Sequence, residues 1–425
     1  MTLAVFVGSL LAVMAFGIPI AFALLLSGII LMLFMGNFDT QILAANLIDG
    51  ADNFPLMAIP FFILAGELMN AGGISKRIIS FAMAYVGHIR GGLGYVAIIA
   101  SVLFAGLSGS AVADTAALGA ILIPMMVSAG YNRNRSAGLI AAGGIIAPII
   151  PPSIPMIVFG VTAGVSISKL FMAGIVPGLL LAVSLTITWT IIVRKDKTVA
   201  QPRKTAKEKW AATRSAFWAL LMPLIIIGGL RGGIFTPTEA AAVAAFYALF
   251  VGLVIYRELK LKKLYEVLVV AAKTTSIVML LAAAAMVSSW LITVANIPGQ
   301  LITLLEPFMD NQLLLLIIIN LIVLIVGTAM DVTPTILILT PVLMPVVNQA
   351  GIDPVFFGLL FVLNNCIGLL TPPVGTVLNV AAGVGKIGMD DIMKGVWPFL
   401  IAEIIILILL TLFPSLVMVP LGWFH

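Results

Sequence analysis

Residues 103–126 read LFAGLSGSAVADTAALGAILIPMM, and the way this stretch meets a membrane decides the fold. Two apolar pieces of roughly 12–18 residues each, about 18–27 Å of helix, lie between Arg90 and Arg133, which is short for a hydrocarbon core ~30 Å thick. Both flanks are basic, so both belong on the cytoplasmic side. The stretch therefore reads as a re-entrant hairpin with its tip at Gly106 to Ser110. Such a tip is tolerable only against protein or water.

The rest of the chain supplies the membrane. Of 425 residues, 62% are hydrophobic and 9% charged, against about 45–50% and about 25% in soluble domains. Runs such as LLLLIIINLIVLIVG from Leu313 do not alternate, which excludes a β-barrel and leaves an all-α polytopic integral membrane protein. The apolar start at Leu3 lacks a basic leader and reads as a first membrane helix. Cys366 is the single cysteine, so there is no disulfide framework or CxxC pair. His88 and His425 are the two histidines and lie far apart, which leaves neither a metal cluster nor a nucleophile triad. No GxxxxGK[ST] occurs, so the energy source is an ion gradient and the chain is no enzyme.

Basic residues cluster at Lys76 to Arg90, Arg133 with Arg135, Arg194 to Arg214, Arg257 to Lys273, and Lys386 with Lys394. Lys169 and Arg231 fall outside these groups and read as loop cations. The net charge of +5 thus reflects position and not a nucleic-acid partner. Residues 3–16 and 19–35 are predicted to cross in and back out, with Asp39, Asp49 and Asp52 in a periplasmic loop. Residues 55–70 cross inward, 74–90 form an amphipathic surface helix, and the first hairpin spans about 96–127. A broken helix at 137–163 crosses outward, 177–193 returns, and 194–215 is a basic cytoplasmic linker.

Sliding the chain on itself by 221 residues pairs Gly106 with Gly327, Pro124 with Pro345, Pro151-Pro152 with Pro372-Pro373, Gly174 with Gly395 and Pro177 with Pro398. Pro and Gly set helix breaks, so backbone architecture is what repeats. Five crossings per copy is odd, which turns the second copy (216–425) upside down relative to the first (1–193). Each copy then holds a surface arm helix and a re-entrant hairpin. The second arm, 297–311, carries Glu306 and Asp310 without Lys or Arg, hairpin 2 spans about 313–347, and a broken helix covers 355–383. Both termini are predicted periplasmic.

Hairpin tips and helix breaks leave carbonyls and amides free near the midplane, suited to cations and anions respectively. The first tip supplies Ser108 and Ser110 and the first break Ile150-Pro151-Pro152-Ser153. The second tip supplies Asp331, Thr333 and Thr335, and the second break Thr371-Pro372-Pro373-Val374-Gly375-Thr376. The offset sets Asp331 opposite Ser110 and Thr335 opposite Asp114. Carboxylate, hydroxyl and carbonyl oxygens together suit Na⁺, so sodium or proton coupling follows, with no organic cofactor. Asn364 and Asn365 could reach substrate, sodium or a neighbouring carbonyl. Glu67 and Glu239 fall at helix ends near headgroup water and read as anchors. Glu403 also lies in an apolar run.

GIPIAFALLLSG near the start, FFILAGELM ending at Met69, GLSGSAVAD, IIPPSIP and LLTPPVGT together resemble the large membrane subunit (DctM type) of tripartite ATP-independent periplasmic (TRAP) transporters, over essentially the whole chain. The resemblance implies an elevator transporter in the bacterial inner membrane that moves an organic carboxylate with Na⁺. Its implied partners are a small four-helix membrane subunit, expected as a separate chain, and a soluble periplasmic binding protein. It implies one sodium site at Ser108, Ser110, Pro151 and Pro152, and another at Asp331, Thr335, Thr371, Pro372 and Pro373. Substrate then lies between them, with Ser153, Asp114, Asn364, Asn365, Gly375 and Thr376 as candidate contacts. The family handles C4-dicarboxylates, sialic acid and other organic anions, and the chain looks somewhat like the sialic acid branch. The competing readings are a carrier that needs no binding protein and an intramembrane enzyme or scaffold.

Overall fold

The computed structural model describes residues 1–194, 201–372 and 374–423, and among them there is no strand. The chain opens with α1 (Thr2–Ala15), α2 (Ile20–Met35), α3 (Thr40–Ala51), α4 (Ala58–Ala71) and α5 (Ile74–Val86). Next come α6 (Gly92–Ser108), α7 (Ala111–Ser128), α8 (Arg133–Gly144), α9 (Ile154–Ala163) and α10 (Ile167–Val193). Then follow α11 (Ala206–Arg231), α12 (Pro237–Phe250), α13 (Leu261–Val294), α14 (Ile297–Leu305) and α15 (Gln312–Ala329). The last five are α16 (Val332–Gln349), α17 (Pro354–Gly368), α18 (Thr376–Gly385), α19 (Met389–Leu412) and α20 (Ser415–Gly422). Among the described residues, nine helices are long and apolar enough to cross a membrane.

Three expectations need correction. The acidic loop is a helix, α3, because the Asp39 carboxylate caps its amino end, accepting from the amides of Gln41 at 2.7 Å and Ile42 at 3.3 Å. Asp49 lies within that helix. The crossing expected from residue 177 begins ten residues earlier, at Ile167, and runs through Pro177, which stands inside α10. A proline inside a buried membrane helix is tolerated where neighbours satisfy the freed carbonyl. The linker expected over 194–215 is helical from Ala206, started by a capping box: Thr205 Oγ1 accepts from the Glu208 amide and Glu208 accepts from the Thr205 amide. Residues 195–200 of that linker lie outside the described residues, as does His425.

Three of the basic groups meet at one end of the molecule. Arg77 of α5 pairs with Glu258 at 2.7 Å and lies over the Tyr256 ring at 3.7 Å. Arg90 donates to the Arg194 carbonyl at 3.0 Å, and Tyr85 hydrogen-bonds Thr213 at 2.8 Å.

Small residues set the tightest helix crossings. Where α8 crosses α19, a Cβ added to Gly395 would sit 2.0 Å from the Asn134 carbonyl oxygen, and one added to Gly138 would sit 2.6 Å from the Gly395 backbone. The two backbones touch there, as small residues permit between membrane helices. Trp189 on α10, 1% exposed, fills the adjoining layer. Its indole N–H donates to the Gly91 carbonyl at 2.9 Å, and its ring stacks near Tyr131 (5.9 Å) and Phe399 (6.4 Å).

Helix α17 starts under a strong cap. Asp353 accepts from the amides of Val355 and Phe356, both at 2.9 Å. Replacing Asp353 with alanine is expected to cost about 1 kcal/mol, seen as a lower melting temperature of the purified protein. Asn in its place keeps an acceptor and should lose much less.

Candidate functional site

Helix α6 ends at Ser108 and α7 begins at Ala111, so two residues make the first tip, not the five expected from Gly106 to Ser110, because Gly106 to Ser108 stay helical. Gly109 takes a left-handed φ of 62°, and a Cβ there would sit 2.5 Å from the Pro152 carbonyl oxygen. The tip is thus pressed against the backbone of the break between α8 and α9. Ser110 caps α7 by accepting from the Ala113 amide at 3.4 Å. Ser108 Oγ accepts from the Ser110 amide at 3.2 Å and donates to the Asp114 carboxylate. Asp114 is 1% exposed, and its other oxygen has no hydrogen-bond partner. Ser153 caps α9, accepting from the Met156 amide at 3.2 Å and donating to the Pro148 carbonyl at 2.5 Å.

The second tip lies between α15 and α16. Asp331 caps α16, accepting from the Val332 amide at 2.8 Å, and Thr335 Oγ1 donates back to the Asp331 carbonyl at 2.9 Å. Here too the tip meets a break. The Gly375 amide donates to the Thr328 carbonyl at 3.4 Å, and Asn365 Nδ2 donates to the Val332 carbonyl at 3.3 Å. Thr371, past the end of α17, donates back to the Ile367 carbonyl at 2.9 Å. Asn364 donates to the Asn320 carbonyl at 2.6 Å, which ties α17 to α15. Pro373 lies outside the described residues.

The two tips face one cavity of about 280 Å³. Ser108 and Ser110 line it from the first tip, and Asp331 and Thr333 from the second. Asp114, Ser153, Thr335, Asn364, Asn365, Thr371, Gly375 and Thr376 stand outside this lining, as do Pro151 and Pro152, whose carbonyls face Gly106 and Gly109. They form a largely buried layer outside the cavity, in which Thr371 and Thr376 are partly exposed. Within it, Asp114 Oδ2 and Thr115 Oγ1 on the first side, and Asn365 Oδ1 and Thr376 Oγ1 on the second, are buried oxygens without a hydrogen-bond partner. Buried polar atoms are normally satisfied, so such clusters call for an explanation. Oxygen donors of this kind suit a small hard cation.

The cavity lining also holds Glu67 and Asn70 of α4 and Thr274 of α13. Glu67, expected to be an anchor, faces the cavity. The signal was available, since Glu67 and Asn70 interrupt an apolar run at helical spacing (i, i+3) and so share one face. Thr274 carried none, because it stands beside Thr275 and Ser276 in a long helix. Glu239 does anchor, closing a capping box with Thr236 at the start of α12.

Residues 7–416 match the family described as Tripartite ATP-independent periplasmic transporter, DctM component. The chain belongs to this family. It is a large permease of the TRAP type and a multi-pass protein of the inner membrane. A 2,3-diketo-L-gulonate TRAP transporter large permease protein of Escherichia coli (strain K12) is 56% identical over 425 residues, covering all of both chains. The sialic acid large permease of Vibrio cholerae is 41% identical, covering 94% of this chain and 93% of its own. A C4-dicarboxylate large permease of Pseudomonas aeruginosa is 39% identical with the same coverage. Among solved structures, the Alcanivorax borkumensis YdaH transporter superposes with a TM-score of 0.63 at 15% identity, covering 90% of this chain and 88% of that one, a likeness of fold.

Proposed function

We propose that this permease drives uptake of an organic carboxylate with Na⁺, accepting substrate from a periplasmic binding protein and working beside a small four-helix membrane subunit. The observation that carries the reading is the pair of capped tips facing one cavity, each backed by buried oxygens without partners. Sodium held in those layers would satisfy these oxygens and offset the Asp331 charge. The carboxylate of the substrate would then meet the amino ends of α7 and α16, where helix dipoles favour an anion.

The fold would be two inverted copies of five crossings. Supporting this, an offset of 221 residues carries the end of α6 onto the end of α15, both ends of α7 onto those of α16, and the start of α8 onto that of α17. The caps follow the same register, Ser110 onto Asp331 and Asn132 onto Asp353. The hairpins and broken helices would move as one body past α4 and α13, an elevator, since the cavity lies between those parts. Among family substrates, sialic acid and 2,3-diketo-L-gulonate are the two candidates we favour, given the relatives at 41% and 56% identity.

The test is reconstitution of both membrane subunits in liposomes. Accumulation of labelled 2,3-diketo-L-gulonate or sialic acid is expected with an inward Na⁺ gradient and the binding protein present, and not when either is withheld. Uptake indifferent to Na⁺ would overturn the coupling. Full uptake without the binding protein would favour an independent carrier.

A further inference from the structure

The cavity is chemically lopsided. Among its described lining residues there is no Lys, Arg or His, yet two carboxylates, Asp331 of the second tip and Glu67 of α4, line it. Asp331 is tied to the amide of Val332 at the start of α16. Glu67 has no such tie: no hydrogen bond or ion pair to another described residue is made by its carboxylate. An ionised carboxylate only accepts hydrogen bonds, so whatever lies against Glu67 must donate.

Its neighbours extend the pattern. Asn70 Oδ1 accepts from Ser75 Oγ at 2.9 Å, which leaves the Asn70 amide N–H groups free to donate. Thr274 Oγ1 gives its proton to the Val270 carbonyl at 3.1 Å, which leaves its lone pairs to accept. This wall thus offers two acceptors and one donor. Hydroxyl groups both give and accept and fit such a wall. A carboxylate fits it badly, because it cannot donate and it meets the charge of Glu67.

The first turn of α7, from Ser110 to Ala113, also lines the cavity and presents the positive end of its dipole. With Na⁺ offsetting the Asp331 charge as proposed above, an anion entering the cavity is best matched in one orientation. Its single carboxylate lies at the tips and its hydroxyls lie against α4 and α13. We infer that Glu67, with Asn70 and Thr274, selects hydroxyl-bearing monocarboxylates and rejects dicarboxylates. This deepens the proposed function and rests on its placing the substrate in this cavity. Lys273, exposed and next in sequence to Thr274, stands outside the lining.

The test is calorimetric titration of the purified pair of membrane subunits, without the binding protein and therefore without its selectivity, in Na⁺ and in K⁺. The probes are 2,3-diketo-L-gulonate, sialic acid and succinate. The unaltered protein is expected to bind the first two more than about tenfold more tightly than succinate. Glu67→Gln keeps the shape, removes the charge and adds a donor. It should shrink that preference about tenfold, by weakening the hydroxylated acids and admitting succinate. Glu67→Asp, which keeps the charge, should still reject succinate. An unchanged preference in Glu67→Gln, or succinate bound best by the unaltered protein, would overturn the inference. Binding equal in Na⁺ and K⁺ would count against sodium coupling while leaving the preference readable. No binding of any probe overturns both.

Discussion

Replacing Asp331 with alanine will lower Na⁺-driven uptake by roughly 10- to 100-fold, the loss of a charged contact of about 1.5–3 kcal/mol. Asp331 is the one charged side chain at either tip that faces the cavity. It also caps α16, so alanine removes two things together. The cap alone is worth about 1 kcal/mol and would register as a lower melting temperature. Asparagine separates the two roles, since its side-chain oxygen still accepts from the Val332 amide while its charge is gone. Uptake lost and stability kept in Asp331→Asn would assign the charge to transport. Uptake restored by asparagine would reduce Asp331 to a cap and remove the second of the proposed ion sites.

The largest effect on stability is expected at Gly395. A Cβ there would sit 2.0 Å from the carbonyl oxygen of Asn134 and 2.9 Å from the amide nitrogen of Arg135, both backbone atoms of the neighbouring helix region. Side chains can rotate away from an intruder, but backbone at a helix crossing must separate bodily. Gly395→Val should therefore cost more than about 3 kcal/mol, and little folded protein should accumulate in membranes. Gly383→Val lies in α18 with nothing within 4 Å of its added Cβ and serves as the control. Equal accumulation of the two variants would show that α8 and α19 can part without penalty.

The same position explains why the repeat was legible. Gly174, which the 221-residue offset pairs with Gly395, would place a Cβ 2.1 Å from the Ile149 carbonyl oxygen. In both places a glycine permits backbone contact that no other residue allows. Prolines and caps likewise act within a turn or two of themselves, so both tips and both breaks could be located from local residues. Helix α3 was missed because its aspartates read as polar loop, although the first of them is the cap that starts the helix. Pro177 misled in the opposite direction, as a proline that the surrounding packing tolerates in mid-helix.

The site was legible to the same depth. Ser108, Ser110, Asp331 and Thr333 belong to tips and were found with them. Asp114, Asn365 and Thr376 were candidate substrate contacts and stand outside the cavity lining, because their placement follows from how α7, α17 and α18 pack and not from spacing along the chain. Glu67 and Thr274 acquire meaning only when α4 and α13 are brought to the cavity that the tips line. That juxtaposition spans about half the chain, and no local pattern encodes it.

Trp189 carries a mechanical consequence. One indole grips Gly91, just before the first hairpin begins, and stacks on Tyr131, just after it ends, while Phe399 of α19 backs the same ring. Both feet of the hairpin are riveted to one plate. Swinging the tip about its base would shear that joint, so in the proposed transport cycle the cheap motion would be to carry the hairpin along with α10 and α19 as undeformed cargo.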